Sequence, residues 1–170
     1  MAQSDKFRLL TELGTEVVPS NYDHETAFPS FLETHSAGFV HIDQDIINGG
    51  IALPNRILKG GDRFKVSAFS IKQPKETRAA ESIDFLDTQK AVFVGIQGLT
   101  IVFKQRRALL PPGKWLASFC SKSIVYDTFL DVPGITDGSD GGYRLSLGGT
   151  LIGKYGPFAD ARGFICFSEI

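Results

Sequence analysis

The residues able to carry chemistry are few and widely spaced. His24, His35 and His41 are the three histidines, and Cys120 and Cys166 are the two cysteines. His35 and His41 would share a face of a continuous strand, but six residues of strand put roughly 20 Å between them, too far to hold one metal ion. The cysteines fall in different segments with no C-x-x-C, so neither a zinc site nor a disulfide framework is expected. Asp137, Gly138 and Asp140 in DVPGITDGSDGG lack the spaced oxygens and distal Glu of an EF-hand loop. The chain contains no G-x-S-x-G elbow, Walker loop, G-x-G-x-x-G or H-E-x-x-H. Serine-type, cysteine-type and metalloprotease chemistry therefore have no basis in the sequence, and no metal and no cofactor are expected.

What the chain offers instead is aromatic surface: fourteen Phe, four Tyr and one Trp against a single Met. Phe93, Phe103, Trp115, Phe119, Tyr126, Phe129 and Tyr143, with Phe158, can wall an apolar cavity. Gln97, Ser118, Cys120 and Asp127 would be its polar points. Apolar walls with a few polar groups make a small-molecule site. They also make a core, because these residue types are commonly buried. The candidate substrate-binding set is Phe93, Gln97, Phe103, Trp115, Phe119, Tyr126, Phe129 and Tyr143; no catalytic residue is assigned. Gln97 stands among apolar neighbours, so its amide must find a hydrogen-bond partner or a ligand.

The elements that would position these side chains read mainly as strands. Asp5 to Leu13 is the exception: Ser4 can cap a helix, and Phe7, Leu10 and Leu13 recur at helical spacing. Residues 15–36 are rich in turn formers, with room for one helical turn at Tyr22 to Ala27. Gly38 to Ile42 reads as a strand, and Lys59-Gly60-Gly61-Asp62 as a turn. Arg63 to Lys72 alternates, with Phe64, Val66 and Ala68 on one face and Ser67, Phe69 and Ile71 on the other. Gln73 to Glu81 reads as a surface loop, Ile83 to Leu86 as a short strand, and Ala91 to Lys104 as a long one. Lys104-Gln105-Arg106-Arg107 is a short basic run of the kind usually solvated. Lys114 to Lys122 reads as a strand and Asp131 to Gly142 as a loop. Tyr143, Leu145 and Leu147 alternate with polar and small residues, as a strand does. Phe164 to Phe167 is apolar at four successive positions, which suits a strand covered on both faces. Gly163 beside it suggests a close backbone approach or a barrel corner.

Composition sets the class. The 170 residues, 42% hydrophobic and 22% charged, suffice for one globular domain with a substantial core. The expected fold is all-β: a single antiparallel barrel of about eight strands with a short N-terminal helix, or alternatively a jelly-roll sandwich. The arm is residues 1–36 and the barrel residues 37–170. A net charge of −1 gives no pull toward nucleic acid or anionic membrane. The start MAQSDKFRLL lacks a basic-then-apolar leader, and no run approaches the roughly 20 apolar residues of a membrane span. A cytoplasmic protein is expected, or a virion component.

The segment Gly156-Pro157-Phe158-Ala159-Asp160-Ala161-Arg162-Gly163-Phe164 resembles the G-x-F-x-x-A-R-G-Y/F closing motif of the allene oxide cyclase and dirigent families. Upstream, Gly61-Asp62 opens a strand and DTQKAVFVGIQG is similar to the turn and strand of those families, so the resemblance spans residues 61–170. It implies an eight-stranded calycin-like barrel around a hydrophobic pocket. The implied activity is cofactor-free isomerisation or ring closure of a flexible unsaturated substrate, polyketide- or fatty-acid-derived, of the kind met in natural-product pathways. No catalytic acid matches residue by residue, so none is carried over. A homo-oligomer is expected. Two other functions fit the same residues. A structural barrel protein of a viral or phage particle would explain the two-sided apolar strands, and a lipocalin-like carrier would have the pocket without the reaction.

Overall fold

The computed structural model describes residues 3–49, 54–72, 77, 79–120, 129–137, 142–150 and 162–170. Its centre is the last strand, β8 (Arg162–Glu169). Phe164, Ile165, Cys166 and Phe167 are all buried, so this strand is covered on both faces, as four successive apolar residues require. Gly163 has no room for a side chain: a Cβ there would run into the carbonyl oxygen of Phe69 on the neighbouring strand. The close approach read from the sequence is therefore present.

The remaining strands are β1 (Phe7–Val17), β2 (Phe39–Ile42), β3 (Arg63–Ile71), β4 (Ala91–Val92), β5 (Trp115–Ala117), β6 (Phe129–Asp137) and β7 (Tyr143–Thr150). They form one mixed sheet in the order β1-β3-β8-β5-β6-β7-β2, with β4 also pairing β8. The β5–β8 and β2–β7 pairs are parallel and the others antiparallel. The sheet is not closed: β1 and β2 are its two edges and do not pair with each other. The protein is thus mostly β, but the all-β antiparallel barrel is corrected to an open mixed sheet with helices against it.

Four helices are described: α1 (His24–His35), α2 (Gln44–Ile47), α3 (Ala79–Thr88) and α4 (Gly95–Arg106). Three of them replace other expectations. Where irregular chain with room for one helical turn at Tyr22 to Ala27 was expected, α1 runs on from His24 to His35. It is capped by Asp23, whose carboxylate accepts from the Glu25 amide at 3.0 Å. It buries Phe28 and Phe31 at helical spacing despite Pro29. Instead of a strand at Ile83 to Leu86, α3 buries Ile83, Phe85 and Leu86. The long strand expected from Ala91 to Lys104 is a two-residue strand followed by α4, which is buried from Gly95 to Phe103. A helix buried all round shows no polar stripe, so its apolar run has no period that separates it from a covered strand.

The N-terminal segment is the opposite case, a strand where a helix was expected. β1 carries two bulges, between Leu9 and Thr11 and between Glu12 and Gly14. Each adds one residue and resets the alternation. Phe7, Leu10 and Leu13, spaced three apart like a helical stripe, therefore divide between the two faces of the sheet, Phe7 on one and Leu10 and Leu13 on the other. β6 occupies the expected loop at Asp131 to Asp137; its Gly134 serves packing, since a Cβ there would enter the Trp115 ring.

β3 has the alternation read from the sequence. Phe64, Val66 and Ala68 join a core with α1, α4, β6 and β7, while Phe69 and Ile71 face a second core with Phe7, α3 and Phe164. β8 divides the same way, Ile165 and Phe167 into the first core, Phe164 and Cys166 into the second.

Both edges of the sheet are blunted. Along β1, the Gln105 side chain donates to the Val17 carbonyl at 2.9 Å and accepts from its amide at 3.4 Å. Arg106 donates to the Thr15 carbonyl at 3.0 Å. β2 is four residues long and bulged between Phe39 and His41. Short, bulged or covered edges resist pairing with a further chain.

Candidate functional site

The last turn of α4 and the segments around it gather aromatic rings and cations. Phe103 is the hub. Its ring stacks on Phe39 of β2 at 4.5 Å and meets Tyr143 of β7 edge-on at 5.1 Å. It also meets Phe31 of α1 edge-on at 5.6 Å. His35, one helical turn beyond Phe31, stacks parallel to it at 5.0 Å and lies 6.1 Å from Phe103. Gly38 lets the chain pass from α1 into β2 beside Phe103, because a Cβ there would be only 3.2 Å from the ring. Phe31 and Phe103 are buried, whereas His35, Phe39 and Tyr143 are half-buried. The cluster thus has a buried floor and a rim open to solvent.

Two cations lie on this aromatic surface. The Arg107 guanidinium is 5.3 Å from the centre of the Phe103 ring and the Lys104 ammonium 5.5 Å from that of Phe31. Such placements are worth about 0.5–1 kcal/mol at exposed sites. Both side chains are exposed, and neither has an acidic partner among the described residues.

The hydrogen bonds fix the tautomer of the neutral His35 ring and the donor role of Tyr143. The Thr34 hydroxyl lies 2.8 Å from the Ser30 carbonyl, which can only accept. Its proton is committed there, so its oxygen accepts from His35 Nδ1–H, 2.6 Å away. In the neutral ring, Nε2 then carries the lone pair, a tautomer assigned from this network. Among the described residues, Nε2 has no partner. Tyr143 donates its phenol proton to the Arg107 carbonyl at 3.1 Å. Desolvation, then the nearby Asp137 carboxylate, push its pKa up, against a smaller opposing effect of Arg107. Tyr143 therefore keeps its phenol proton at neutral pH and is not a base, while the neutral His35 ring presents Nε2 as an acceptor.

Of the eight residues read from the sequence, Phe103 and Tyr143 belong to this cluster. Phe93, Trp115 and Phe119 lie in the second core, where Phe93 and Phe119 meet edge-to-face at 6.3 Å. Trp115 donates its indole N–H to Ser146 at 3.1 Å. Gln97 is on the first turn of α4, six residues or about 9 Å of helix from Phe103. It is 6% exposed, and its amide oxygen has no partner among the described residues. Phe129 opens β6, its backbone opposite Thr150; its side chain lies outside the described part. Tyr126, Asp127 and Phe158 lie outside the described residues, as does most of the closing motif, residues 156–161. Ser118 and Cys120 are spent on packing α4: the hydroxyl donates to the Gly95 carbonyl at 2.8 Å, and the sulfur crowds the bare Cα of Gly95. The set is therefore divided between the two faces of the sheet.

The sequence patterns do not single out Phe31 and Phe39; His35 figures in them only as a metal ligand, and Lys104 and Arg107 only as part of a solvated basic run. Phe28, Phe31, Leu32 and His35 do form a helical stripe, and that signal was hidden by the turn formers around it. Among the described residues no three His, Cys, Asp or Glu side chains gather as metal ligands. No described helix is long and apolar enough to cross a membrane. No family model matches the chain, and neither a curated protein nor a solved structure is significantly similar to it.

Proposed function

We propose that the protein binds a flexible, unsaturated hydrophobic molecule against the Phe103 ring cluster and promotes its isomerisation or ring closure without a cofactor. The observation that carries this reading is His35 Nε2, without a partner among the described residues, on a ring that stacks on Phe31 and lies 6.1 Å from Phe103, the hub that also holds the half-buried Phe39 and Tyr143. Aromatic rims bind unsaturated chains through area and π contacts. A base at that rim can take a proton beside one double bond and return it at another carbon, so substrate and product have the same composition. Holding the reacting ends together supplies further acceleration by confinement. The sequence resemblance to the allene oxide cyclase and dirigent families points the same way.

The particle-component alternative drew on strands apolar on both faces. In β8 both faces are buried by this chain's own residues, so that feature needs no neighbouring subunit.

The test has two stages. Fluorescence of the neutral probe N-phenyl-1-naphthylamine should rise on adding the protein, and the rise should be lost in Phe39→Ala. A panel of skipped dienes, offered as neutral methyl esters, should then be converted to conjugated isomers or cyclic products by the wild type and not by His35→Gln. Absence of probe binding overturns the reading. Binding with no turnover overturns the catalytic half and leaves a carrier.

A further inference from the structure

We infer that the ligand of the ring cluster is an anion, its charged group held between Lys104 and Arg107 while its conjugated body lies on the rim of His35, Phe39 and Tyr143. This rests on the reading of the cluster as a binding site and adds the chemical class of what it takes.

The argument starts from the pairing of charges. Glu16 is paired with Arg106, Glu12 with Lys65, Asp62 and Glu169 with Arg56, and Glu81 with Lys6. Lys104 and Arg107, like Arg8, Lys59, Arg63, Lys72 and Lys90, have no such partner among the described residues; what sets these two apart is their position on the ring cluster. Asp137, the carboxylate that acts on Tyr143, forms no ion pair with Arg107. Both cations are instead laid over ring faces. A ring face occupies only one side of a guanidinium, so Arg107 keeps N–H donors in its edge for a planar oxyanion. Low-polarity rings beneath the charges strengthen their attraction for an anion compared with open water. Residues 103 to 107 thus place apolar surface and unmatched positive charge side by side, which suits a ligand that is apolar at one end and negative at the other. A carboxylate, a sulfonate and a phosphoryl group share this chemistry.

The experiment compares two probes that share a ring system and differ in charge: 1-anilinonaphthalene-8-sulfonate, an anion, and N-phenyl-1-naphthylamine, its neutral counterpart. Lys104 and Arg107 are exposed, so Lys104→Gln and Arg107→Gln leave the core untouched. The double variant should weaken sulfonate binding about tenfold, a loss of one well-made charged contact, and shift the neutral probe less than about twofold. Arg107→Lys should recover part of the loss, and added salt should weaken the sulfonate alone. If the double variant shifts both probes equally, or shifts neither, the anion inference is overturned while the binding site stands. If the neutral probe fails to bind even the wild type, the site itself falls.

Discussion

Glu16 shows what burial does to a single residue. It is wholly buried, with one carboxylate oxygen 3.0 Å from Arg106 Nε. That contact is a charge pair more than an aligned hydrogen bond, since neither atom gains a well-directed partner. Burial raises the pKa above 4.5, against the lowering by the Arg106 charge and contact. The folded state therefore prefers the protonated carboxyl. This group supports folding fully below its ordinary pKa, and the support is lost as pH climbs through the raised folded value. Glu16→Gln is neutral throughout, so its stability relative to wild type should increase as pH rises above 4.5. Parallel pH profiles in urea unfolding would refute this. Gly163 makes the complementary point about space. Gly163→Ala drives a methyl into the Phe69 carbonyl and against Leu116, and should cost about 1–3 kcal/mol, read as a lower denaturation midpoint. An unchanged midpoint would mean that β3 and β8 separate more freely than their register implies.

At the scale of elements, the end of α4 does two jobs. Phe103, with Arg107 just past the helix, builds the ring cluster, while Gln105 and Arg106 cover the outer edge of β1. The Gln105 amide imitates a neighbouring strand by bonding both backbone groups of Val17. Gln105→Ala should make the Val17 amide exchange with solvent severalfold faster, at a stability cost of about 0.5–1.5 kcal/mol. Unchanged exchange at residue 17 would show that the edge is protected by something else. The same elements show where sequence is informative. β3 was legible because its alternation has no helical counterpart, and β8 because its apolar run is only four residues long, too short for a buried helix. β1 was not, because bulges convert a period of two into a spacing of three. α4 was not, because a fully buried helix has no polar side to betray its period. The site was half legible for a related reason. Phe103 and Tyr143 stand out as residue types, but His35 and Lys104 acquire meaning only once α1 and α4 are packed side by side, and no local pattern encodes that.

Across the whole molecule, the sheet separates two aromatic cores with different exposure. The one around Phe164 contains Phe7, Phe85, Phe93 and Phe119, all buried. The other opens at its Phe103 end through the half-buried Phe39, Tyr143 and His35. If packing and ligand binding are divided in this way, substitutions on the two faces must separate stability from affinity. Phe119→Ala removes a fully buried ring and should cost about 3–5 kcal/mol. At a temperature where the variant remains folded, it should bind N-phenyl-1-naphthylamine as the wild type does. Phe39→Ala removes a rim ring, should cost less, and should abolish binding. Measuring denaturation midpoint and probe affinity on both variants places each residue on a plane of two coordinates. Points lying on opposite axes support a dedicated site at the Phe103 end of the sheet. If instead both variants lose affinity in proportion to lost stability, the probe reports loosening of the fold, and the rings of Phe39, Phe103 and Tyr143 are there to pack the edge where β2 and β7 meet α4.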